Sequence, residues 1–270
     1  MRPGNSGMES SLTGEQIYER RGWRISPVLR SMTYVTWIPL LLIAIFLISI
    51  SLIGPILLMR WSLEVHDVLT DVLIVNSLFL ALTIALSYVL FSLCLMFVCG
   101  LFKRALDPFF GLKEGEYPFI SSISGYWSIV NGLILICRQF FLELTRTTFL
   151  LVLFYRLMGM RIGKGSLINS TFLYDPDLVV IGKNVTIGGD VMILGHVGEK
   201  WILRLKRTVI GDRVDIGQSA FIMPGVVVGE GSIVGAFSVV TKGTDIPPYE
   251  IWAGVPAKKI GELKKPPTRS

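Results

Sequence analysis

The sequence is poor in the residues that most often bind metals. Its 270 residues include three cysteines and two histidines. Cys94 and Cys99 fall in one apolar segment and Cys137 in another, with neither metal-ligand spacing nor a disulfide framework among them. We therefore expect buried thiols in a reducing compartment and no metal site.

Charged residues are also scarce. They make up 17% of the chain, whereas hydrophobic residues make up 51%, and the net charge is +6. A composition of this kind favours a membrane protein over a soluble enzyme. The basic residues lie beside apolar segments rather than along a helix with interleaved aromatic residues. We therefore expect them to face a membrane surface, and we expect no nucleic-acid partner.

Two long apolar runs predict a hairpin of transmembrane helices over residues 32–104. The runs cover 32–59 and 72–102, and each exceeds the ~20 residues that span a bilayer. The link between them, 60–71, is acidic, whereas basic residues flank the open ends, including a basic leader at 1–31. This asymmetry predicts a protein of the cell membrane with its N-terminus and its downstream domain in the cytoplasm. Neither run carries a charge, which favours an anchor over a polar path through the membrane.

Residues 105–160 are predicted to join this hairpin to the rest of the chain. The stretch 107–125 is rich in proline, glycine and serine, which indicates an irregular connector. The apolar segment 126–160 is interrupted by four charged residues: Arg138, Glu143, Arg146 and Arg156. Because charges are costly in hydrocarbon, this pattern favours one interfacial amphipathic helix over a third membrane span.

A period of six residues dominates the second half of the chain. Aliphatic residues recur at every sixth position without a slip: Ile210, Ile216, Ile222, Val228, Val234 and Val240. Glycine follows most of them. This period fits neither a helix nor an ordinary strand but a solenoid with three flat sides, in which the aliphatic residues point inward and glycine helps the chain turn each corner. Stacked coils then bury a continuous aliphatic column.

Looser repeats extend the predicted solenoid over residues 161–248. The repeat shifts phase by one residue between Ile168 and Ile181. It is lost over 197–209, which predicts an excursion loop at one corner of the coil. Residues 249–270 are predicted to form a capping segment and a basic tail.

These repeats resemble those of the hexapeptide-repeat acyltransferases. The resemblance implies a left-handed parallel β-helix, a homotrimer, and transfer of an acyl group from acetyl-CoA, another acyl-CoA or a phosphopantetheine thioester to a small amine, a hydroxyl or a lipid-linked acceptor. From the hairpin onward the chain also resembles the C-terminal membrane region of synthetases related to ε-poly-lysine synthetase, with Asp-Pro-Asp-Leu-Val-Val-Ile-Gly at 175–182. Without the adenylation and carrier domains of those enzymes, we expect the donor to arrive as acyl-CoA or on a separate carrier protein.

His196 is the predicted catalytic base. It directly follows Gly195, where the six-residue period gives way to the excursion loop and a side chain can leave the column. Acyl transfer requires a group that removes the proton of the nucleophile, and histidine is suited to this role near neutral pH. The family resemblance implies the same role. The other histidine, His66, is interpreted as a solvated residue of the hairpin link. Four carboxylates are candidates to orient His196: Asp175, Asp177, Asp190 and Glu199.

The end of the repeat resembles the acetyl-CoA-binding end of the same family. The motif Trp-Ala-Gly-Val-Pro-Ala-Lys at 252–258 follows the last coils. The resemblance implies that small residues let the pantetheine arm lie along the prism while a lysine approaches the phosphates. The matching positions are Ser219, Ala236, Ser238, Lys242, Gly254, Ala257 and Lys258.

Two other functions are compatible with a prism of this shape. γ-Type carbonic anhydrases need three histidine ligands on zinc, and the part of the chain after the hairpin holds one histidine, which excludes that class. A prism without a donor site would instead act as a non-catalytic membrane scaffold or as an accessory subunit of a synthetase. Binding of CoA to the purified protein separates this alternative from an acyltransferase.

Overall fold

The computed structural model describes residues 37–69 and 73–265 of the chain. The predicted leader 1–31 and residues 266–270 of the predicted basic tail lie outside the described residues. Within the described part, helices come first and stacked short strands follow, with one early strand between the second and third helices. The helices therefore lie between the N-terminal leader and the predicted solenoid.

Two long antiparallel helices form the first part of the structure, α1 (Trp37–Leu69) and α2 (Leu73–Leu106). They pack side by side, and the hydroxyl oxygens of Ser62 and Thr83 lie 3.0 Å apart between them. Both helices are long and apolar enough to cross a membrane by length and composition. Many large apolar side chains on their outer faces are more than half exposed, among them Leu41, Leu42, Phe46, Ile53, Leu57, Leu78, Leu82 and Ile84.

The polar link predicted over 60–71 is wrong, because α1 continues to Leu69. Arg60 and Glu64 lie one helical turn apart and pair at 3.6 Å. Such i,i+4 pairs stabilise a helix, so the charged residues extend α1 instead of ending it.

The segment after α2 contains one strand and three short helical elements. The predicted irregular connector over 107–125 includes the strand β1 (Gly115–Pro118). The single interfacial helix predicted over 126–160 is wrong. The structure has three helical elements instead: α3 (Ser122–Phe140), a 3₁₀ helix (Leu142–Thr145) and α4 (Phe149–Leu157). We call these three elements together the platform.

The platform packs between the long helices and the coils. Tyr155 is fully buried, and its hydroxyl donates to the carbonyl of Thr171 in the first coil at 2.9 Å. Two of the charges that interrupt this segment pair with each other: Arg146 binds Glu143, and it also binds Asp190 of a later coil at 2.8 Å. These ion pairs explain why the segment breaks into short elements, since its charges are held by protein groups rather than along one solvated helix face.

Three parallel sheets form the sides of a triangular prism, and each of the three middle coils contributes one strand to each side. The first sheet contains β2 (Arg161–Ile162), β4 (Val179–Ile181), β9 (Thr208–Ile210), β12 (Val227–Val228) and β15 (Asp245–Ile246). The second contains β3 (Leu167–Ile168), β5 (Thr186–Ile187), β10 (Asp215–Ile216), β13 (Ile233–Val234) and β16 (Glu250–Gly254). The third contains β6 (Met192–Ile193), β11 (Phe221–Ile222) and β14 (Val239–Val240).

The six-residue series fills the interior of the prism, as the period predicts. Every member is at most 2% exposed: Ile210, Ile216, Ile222, Val228, Val234 and Val240. Burying one such side chain stabilises the fold by about 1.5 to 3 kcal/mol. The phase shift after Ile168 also has a structural cause. Leu173 bridges to Ile193 and takes the third inward place of the first coil. It follows Ile168 after five residues instead of six, and Ile181 follows it after eight, so one residue is lost before Leu173 and two are added after it.

The glycines after the inward residues do not turn the corners, and that interpretation is wrong. Gly188 and Gly211 have no left-handed backbone, but a Cβ on Gly188 would lie 2.7 Å from the amide nitrogen of Gln218 in the next coil. A Cβ on Gly211 would lie 2.8 Å from the carbonyl of Val228. Glycine is therefore required there because adjacent coils approach closely. The left-handed residues come two positions later, for example Arg213 and Ser219.

The excursion predicted as a loop over 197–209 is instead a β-hairpin. It consists of β7 (His196–Glu199) and β8 (Ile202–Leu205), which pair antiparallel. β8 also pairs antiparallel with β1, so the excursion is held by the segment that precedes the platform. A last antiparallel strand, β17 (Ala257–Glu262), folds back on β16 at the end of the prism.

A buried ion-pair cluster joins α2 to the first coil. Lys103 is fully buried and lies 2.8 Å from both Asp107 and Asp177, and Asp107 also accepts a hydrogen bond from Tyr126. Burial raises the pKa of Asp177, although the Lys103 ammonium opposes this shift. The positive charge of Lys103 therefore offsets the negative charges of Asp107 and Asp177 where α2 meets the first coil.

We expect Lys103→Met to lower the free energy of unfolding by about 3 to 5 kcal/mol at neutral pH, the usual cost of breaking a buried pair. Without the ammonium, the partly buried Asp177 is left with its raised pKa, so it binds a proton more tightly in the folded than in the unfolded chain. The loss should shrink as the pH falls through that raised pKa. Thermal unfolding in detergent at pH 7.5 and pH 5 measures this. The exposed Lys113→Met is the control, and an equal loss at both pH values would contradict the ion-pair explanation.

Candidate active site at the excursion

His196 is oriented by a buried carboxylate from the previous coil. Its Nδ1 lies 2.5 Å from Oδ2 of Asp175, whose side chain is fully buried, whereas the His196 side chain is 21% exposed. Asp175 lies in the corner after Leu173, and Gly195 stacks directly on this corner. A Cβ on Gly195 would lie 2.7 Å from Cβ of Leu178 and 3.1 Å from that of Asp175. The absence of a side chain at 195 therefore lets the next residue reach the carboxylate.

Four groups bind the Asp175 carboxylate, and three of them are certain N–H donors. Trp127 Nε1 donates to Oδ1 at 2.8 Å, Asn131 Nδ2 donates to the same oxygen at 3.0 Å, and the Gly195 amide donates to Oδ2 at 2.8 Å. This set of donors is suited to an ionised carboxylate, which only accepts. We therefore assign the proton of the neutral imidazole of His196 to Nδ1, which leaves Nε2 with a free lone pair.

Aromatic rings surround the imidazole. The Trp127 ring centroid lies 4.8 Å from that of His196 at 67°, and the Tyr174 ring meets it edge-on at 6.4 Å and 90°. Phe119 in turn lies 6.4 Å from Trp127. The rings exclude water from two sides of the imidazole and restrict its orientation, so the nitrogen that is free to act as a base has a defined position.

The remaining candidate carboxylates have other partners. Asp177 pairs with Lys103, and Asp190 pairs with Arg146. Glu199 pairs with Arg204 and Lys242, and the hydrogen bond from Lys242 lowers the pKa of Glu199. The sequence named the correct carboxylate among four but did not predict Trp127 or Asn131. These two residues carry no sequence signal for the role, because they belong to the platform and meet Asp175 only in the folded chain.

The residues predicted to bind the acyl donor fall on two different edges of the prism. Ser219, Ala236, Ser238 and Gly254 lie on the edge between the second and third sheets, formed by 188–191, 217–220, 235–238 and 253–254. We call this the Ser219 edge. Ser238 is buried, and its hydroxyl accepts from the Gly254 amide at 3.1 Å, so it supports the turn. Ala257 and Lys258 follow on β17, and Lys258 is exposed.

Lys242 lies apart from this set. It belongs to the edge between the third and first sheets, formed by 194–207, 223–226 and 241–244, which we call the His196 edge. Its Nζ lies 2.5 Å from Glu199 of the excursion. Within one chain, the structure therefore places His196 and Lys242 on one edge of the third sheet and the other predicted donor residues on the opposite edge.

The site has no metal-ligand cluster in the part of the chain that the structure describes. All three cysteines are free, Cys99 and Cys137 are buried, and Cys94 is partly exposed. Burial raises the pKa of the Cys137 thiol, with a further contribution from its contact with Cys99. Cys137 is therefore held as an unreactive thiol at neutral pH.

Replacing Asn131 tests whether the platform orients the base. We expect Asn131→Ala to lower kcat about tenfold with little change in the KM of the donor, because one of the two bonds to Oδ1 of Asp175 is lost. Trp127→Phe, which removes the N–H and keeps a ring, should have a similar effect. Gln139→Ala, an exposed position on the same helix, is the control. Unchanged kcat in both platform variants would exclude a role of the platform in orienting His196 for catalysis.

Comparison with known proteins agrees with the repeat. Residues 207–242 match the family described as bacterial transferase hexapeptide (six repeats). Protein CapG of Staphylococcus aureus is 40% identical over 121 residues, covering 40% of this chain and 69% of CapG. Galactoside O-acetyltransferase of Escherichia coli (strain K12) is 39% identical over 101 residues, covering 34% of this chain and 47% of that enzyme. The chain thus spans about half the length of the latter.

Among solved structures, a hexapeptide-repeat acetyltransferase from Vibrio cholerae is 31% identical, with a TM-score of 0.36, covering 40% of this chain and 65% of that one. The acetyltransferase name of the Escherichia coli relative supports the predicted enzyme class. The resemblance to ε-poly-lysine synthetases stays a prediction. Given the match to the family, the identity and coverage of CapG and the coils of the prism, the chain belongs to the hexapeptide-repeat transferase family.

Proposed function

We propose that the chain is a membrane-anchored acyltransferase that moves an acyl group from CoA or another pantetheine thioester to a hydroxyl or amine, with His196 as general base. The observation that carries this proposal is the buried Asp175 carboxylate, which holds Nδ1 of a partly exposed histidine at the edge of a hexapeptide prism. The arrangement leaves Nε2 as the basic nitrogen. It is the geometry that nucleophile activation requires.

The reaction is a single displacement at the acyl carbon. Nε2 of His196 removes the proton of the acceptor hydroxyl or amine while the acceptor oxygen or nitrogen bonds to the acyl carbon. The carbon–sulfur bond then breaks, and His196 returns the proton to the departing sulfur, which gives the acylated acceptor and a free thiol. Asp175 stabilises the imidazolium that exists between the two proton transfers. General-base catalysis of this kind contributes about 10² to 10⁴-fold to the rate.

The Ser219 edge is suited to a pantetheine arm. A Cβ built on Gly189 or Gly254 meets no atom closer than 3.6 Å, so this edge has open space beside exposed Ala236. The thioester donor supplies the activated acyl carbon. In this proposal Ser219, Ala236 and Ala257 line the arm, Ser238 and Gly254 shape the turn, and Lys258 approaches the phosphates.

We infer a homotrimer, since His196 and the Ser219 edge of one chain lie on opposite edges of the third sheet. A left-handed prism packed with two copies brings the His196 edge of one subunit to the Ser219 edge of its neighbour. Lys242, on the His196 edge, then reaches the donor from the adjacent subunit. Each active site would contain residues of two chains.

In this arrangement α1 and α2 span the cell membrane, with the N-terminus and the prism in the cytoplasm. Their exposed apolar faces support the proposal, because such faces are stable in hydrocarbon and not in water. A trimer would hold six spanning helices. The active site would then lie near the membrane surface, within reach of lipid-linked as well as soluble acceptors.

The proposal is tested by release of free thiol from a panel of acyl-CoA and acyl-carrier thioesters on membranes that contain the protein, with mass spectrometry of the acylated product. Co-expression of His196→Asn and Ala236→Trp chains tests the shared site. Each variant alone should be inactive, and mixed trimers should regain activity at a minority of their sites. A non-catalytic scaffold would release no thiol and bind no CoA, and lack of complementation would place each site within one chain.

A further inference from the structure

Arg138 differs from the other partly buried cations of the described chain. Its Nη1 donates to the neutral hydroxyl of Tyr174 at 2.8 Å, and its Cζ lies 4.6 Å from the centroid of the Phe172 ring. Within residues 37–69 and 73–265, no carboxylate oxygen lies within 4.0 Å of its guanidinium. By contrast, Lys103, Arg146 and Arg204 each pair with two carboxylates.

Arg138 and Tyr174 together offer several hydrogen-bond donors to a single ligand. The guanidinium keeps N–H groups beyond the one that binds Tyr174, and the Tyr174 hydroxyl accepts this bond and has its own proton left to donate. A partly desolvated cation without a counter-ion is costly, so an anion bound here would relieve that cost. The planar fork of arginine binds the oxygens of a phosphate in a bidentate manner.

These hydrogen-bond donors lie beside His196, the proposed base. Tyr174 directly precedes Asp175 in the chain, and its ring meets the His196 imidazole edge-on at 6.4 Å. The nearest acidic side chain of the platform is occupied: Glu143 accepts from Thr171 and pairs with Arg146. An anion at Arg138 is therefore not repelled by a free carboxylate of the 3₁₀ helix, and it would lie next to Tyr174, whose ring contacts His196.

The depth of Arg138 along the long helices points to the membrane surface. α3 runs antiparallel to α2, since Tyr126 binds Asp107 near the end of α2 and Phe140 stacks edge-on with Phe91 at 5.3 Å. A bilayer core takes ~20 residues of a helix, so a span that starts at the beginning of α2 ends near Phe91. Arg138 then lies at the level of the lipid headgroups.

We propose that Arg138 and Tyr174 bind a phosphate group of the acyl acceptor, and that the hydroxyl or amine of the same molecule reaches His196. This inference rests on the proposed acyltransferase function and names the class of its acceptor. Two kinds of molecule supply this chemistry, a phosphate-linked membrane lipid and a soluble nucleotide-linked compound. The shared requirement is a phosphate held close to the acyl-accepting group.

The subsite is tested by calorimetric titration of the full chain in detergent with inorganic pyrophosphate, in the presence of saturating CoA. The wild type is compared with Arg138→Gln and with Tyr174→Phe, which removes only the hydroxyl. Arg161→Gln is the matched control, because Arg161 is an exposed arginine at the start of the prism. We expect binding at least tenfold weaker in Arg138→Gln, severalfold weaker in Tyr174→Phe and unchanged in Arg161→Gln.

Equal weakening in Arg138→Gln and Arg161→Gln, or no wild-type binding, would overturn the subsite. If Arg138→Gln fails to fold, unchanged binding in Tyr174→Phe would overturn it as well. Two further titrations separate the sources of phosphate: uridine diphosphate in solution, and a polyprenyl phosphate in mixed micelles. Stronger Arg138-dependent binding of one probe identifies the source.

The binding measurement is independent of turnover, so it separates this inference from the proposed function. His196→Asn should bind pyrophosphate as the wild type does while its kcat for acyl transfer falls by about 10² to 10⁴-fold. Arg138-dependent binding by a chain that releases no thiol with any donor would support the subsite and reject the acyltransferase. Conversely, a chain that releases thiol but binds pyrophosphate equally well after replacement of Arg138 or Tyr174 would support the acyltransferase and reject the subsite.

Discussion

Replacement of His196 by asparagine is expected to lower kcat by about 10² to 10⁴-fold, because the group that removes the acceptor proton is lost. The KM of the thioester donor should change little, since the proposed donor contacts lie on the Ser219 edge. Steady-state thiol release on membranes measures both constants. Asparagine is chosen because its amide can keep a hydrogen bond to Asp175, so the buried carboxylate is not left without this partner.

Two further variants make this result specific. Asp190→Asn changes a carboxylate that pairs with Arg146 and not with His196, so it should leave kcat within about twofold of the wild type. Asp175→Asn should lower kcat strongly, and the double variant with His196→Asn should be no worse than His196→Asn alone, because the two residues act as one unit. Additive losses, or near wild-type turnover of His196→Asn, would exclude His196 as the base.

The second large effect is expected from Ile216→Asp, which should prevent folding of the prism. Ile216 is 2% exposed and pairs with Ile187 and Val234 in the coils on either side. The change removes about 1.5 to 3 kcal/mol of apolar burial and adds the cost of burying a carboxylate without a partner. Together these terms are comparable with the whole stability of a typical domain.

The matched control is the neighbouring residue. Asp215 precedes Ile216 in the same strand and is exposed, so Asp215→Ala should change the free energy of unfolding by no more than about 0.5 kcal/mol. Yield, circular dichroism and the oligomeric state in detergent compare the two variants. A folded, trimeric Ile216→Asp protein would contradict the inward assignment of the six-residue series.

The prism could be predicted because the repeat that specifies it is a short-range pattern in the sequence. An inward aliphatic residue at every sixth position implies three short sides, and all members from Ile210 to Val240 are buried as expected. The reason for the glycines was not predictable from spacing. Gly188 and Gly211 are required by the backbone of the adjacent coil, and a repeat pattern does not show how closely two coils approach.

The proposed catalytic pair, His196 and Asp175, was predictable in part. The position of His196 follows from the loss of the period, but Asp175 was one of four candidate carboxylates. Choosing it requires the knowledge that Leu173 fills the third side of the first coil, which places 175 directly next to Gly195 in the stack. The phase shift in the sequence signals an irregular corner there without giving its geometry.

The platform could not be predicted, because its structure depends on contacts between distant segments. Asn131 and Asp175 are 44 residues apart, and the excursion strand β8 pairs with β1 far upstream. From hydropathy alone, 126–160 is an apolar segment whose charged residues would be costly in hydrocarbon. In the fold, Arg146 has carboxylate partners, one of them supplied by a coil that comes later in the chain.

The bonds from Trp127 and Asn131 to Asp175 limit how the protein can be simplified. A truncated chain that begins at Met160 would keep every coil of the prism and all the residues predicted to bind the donor. It would be attractive for crystallisation because it omits both long apolar helices. It would also leave Asp175 with two of its four hydrogen-bonding partners and open one side of the imidazole to water. A soluble variant for enzymology must therefore retain the platform.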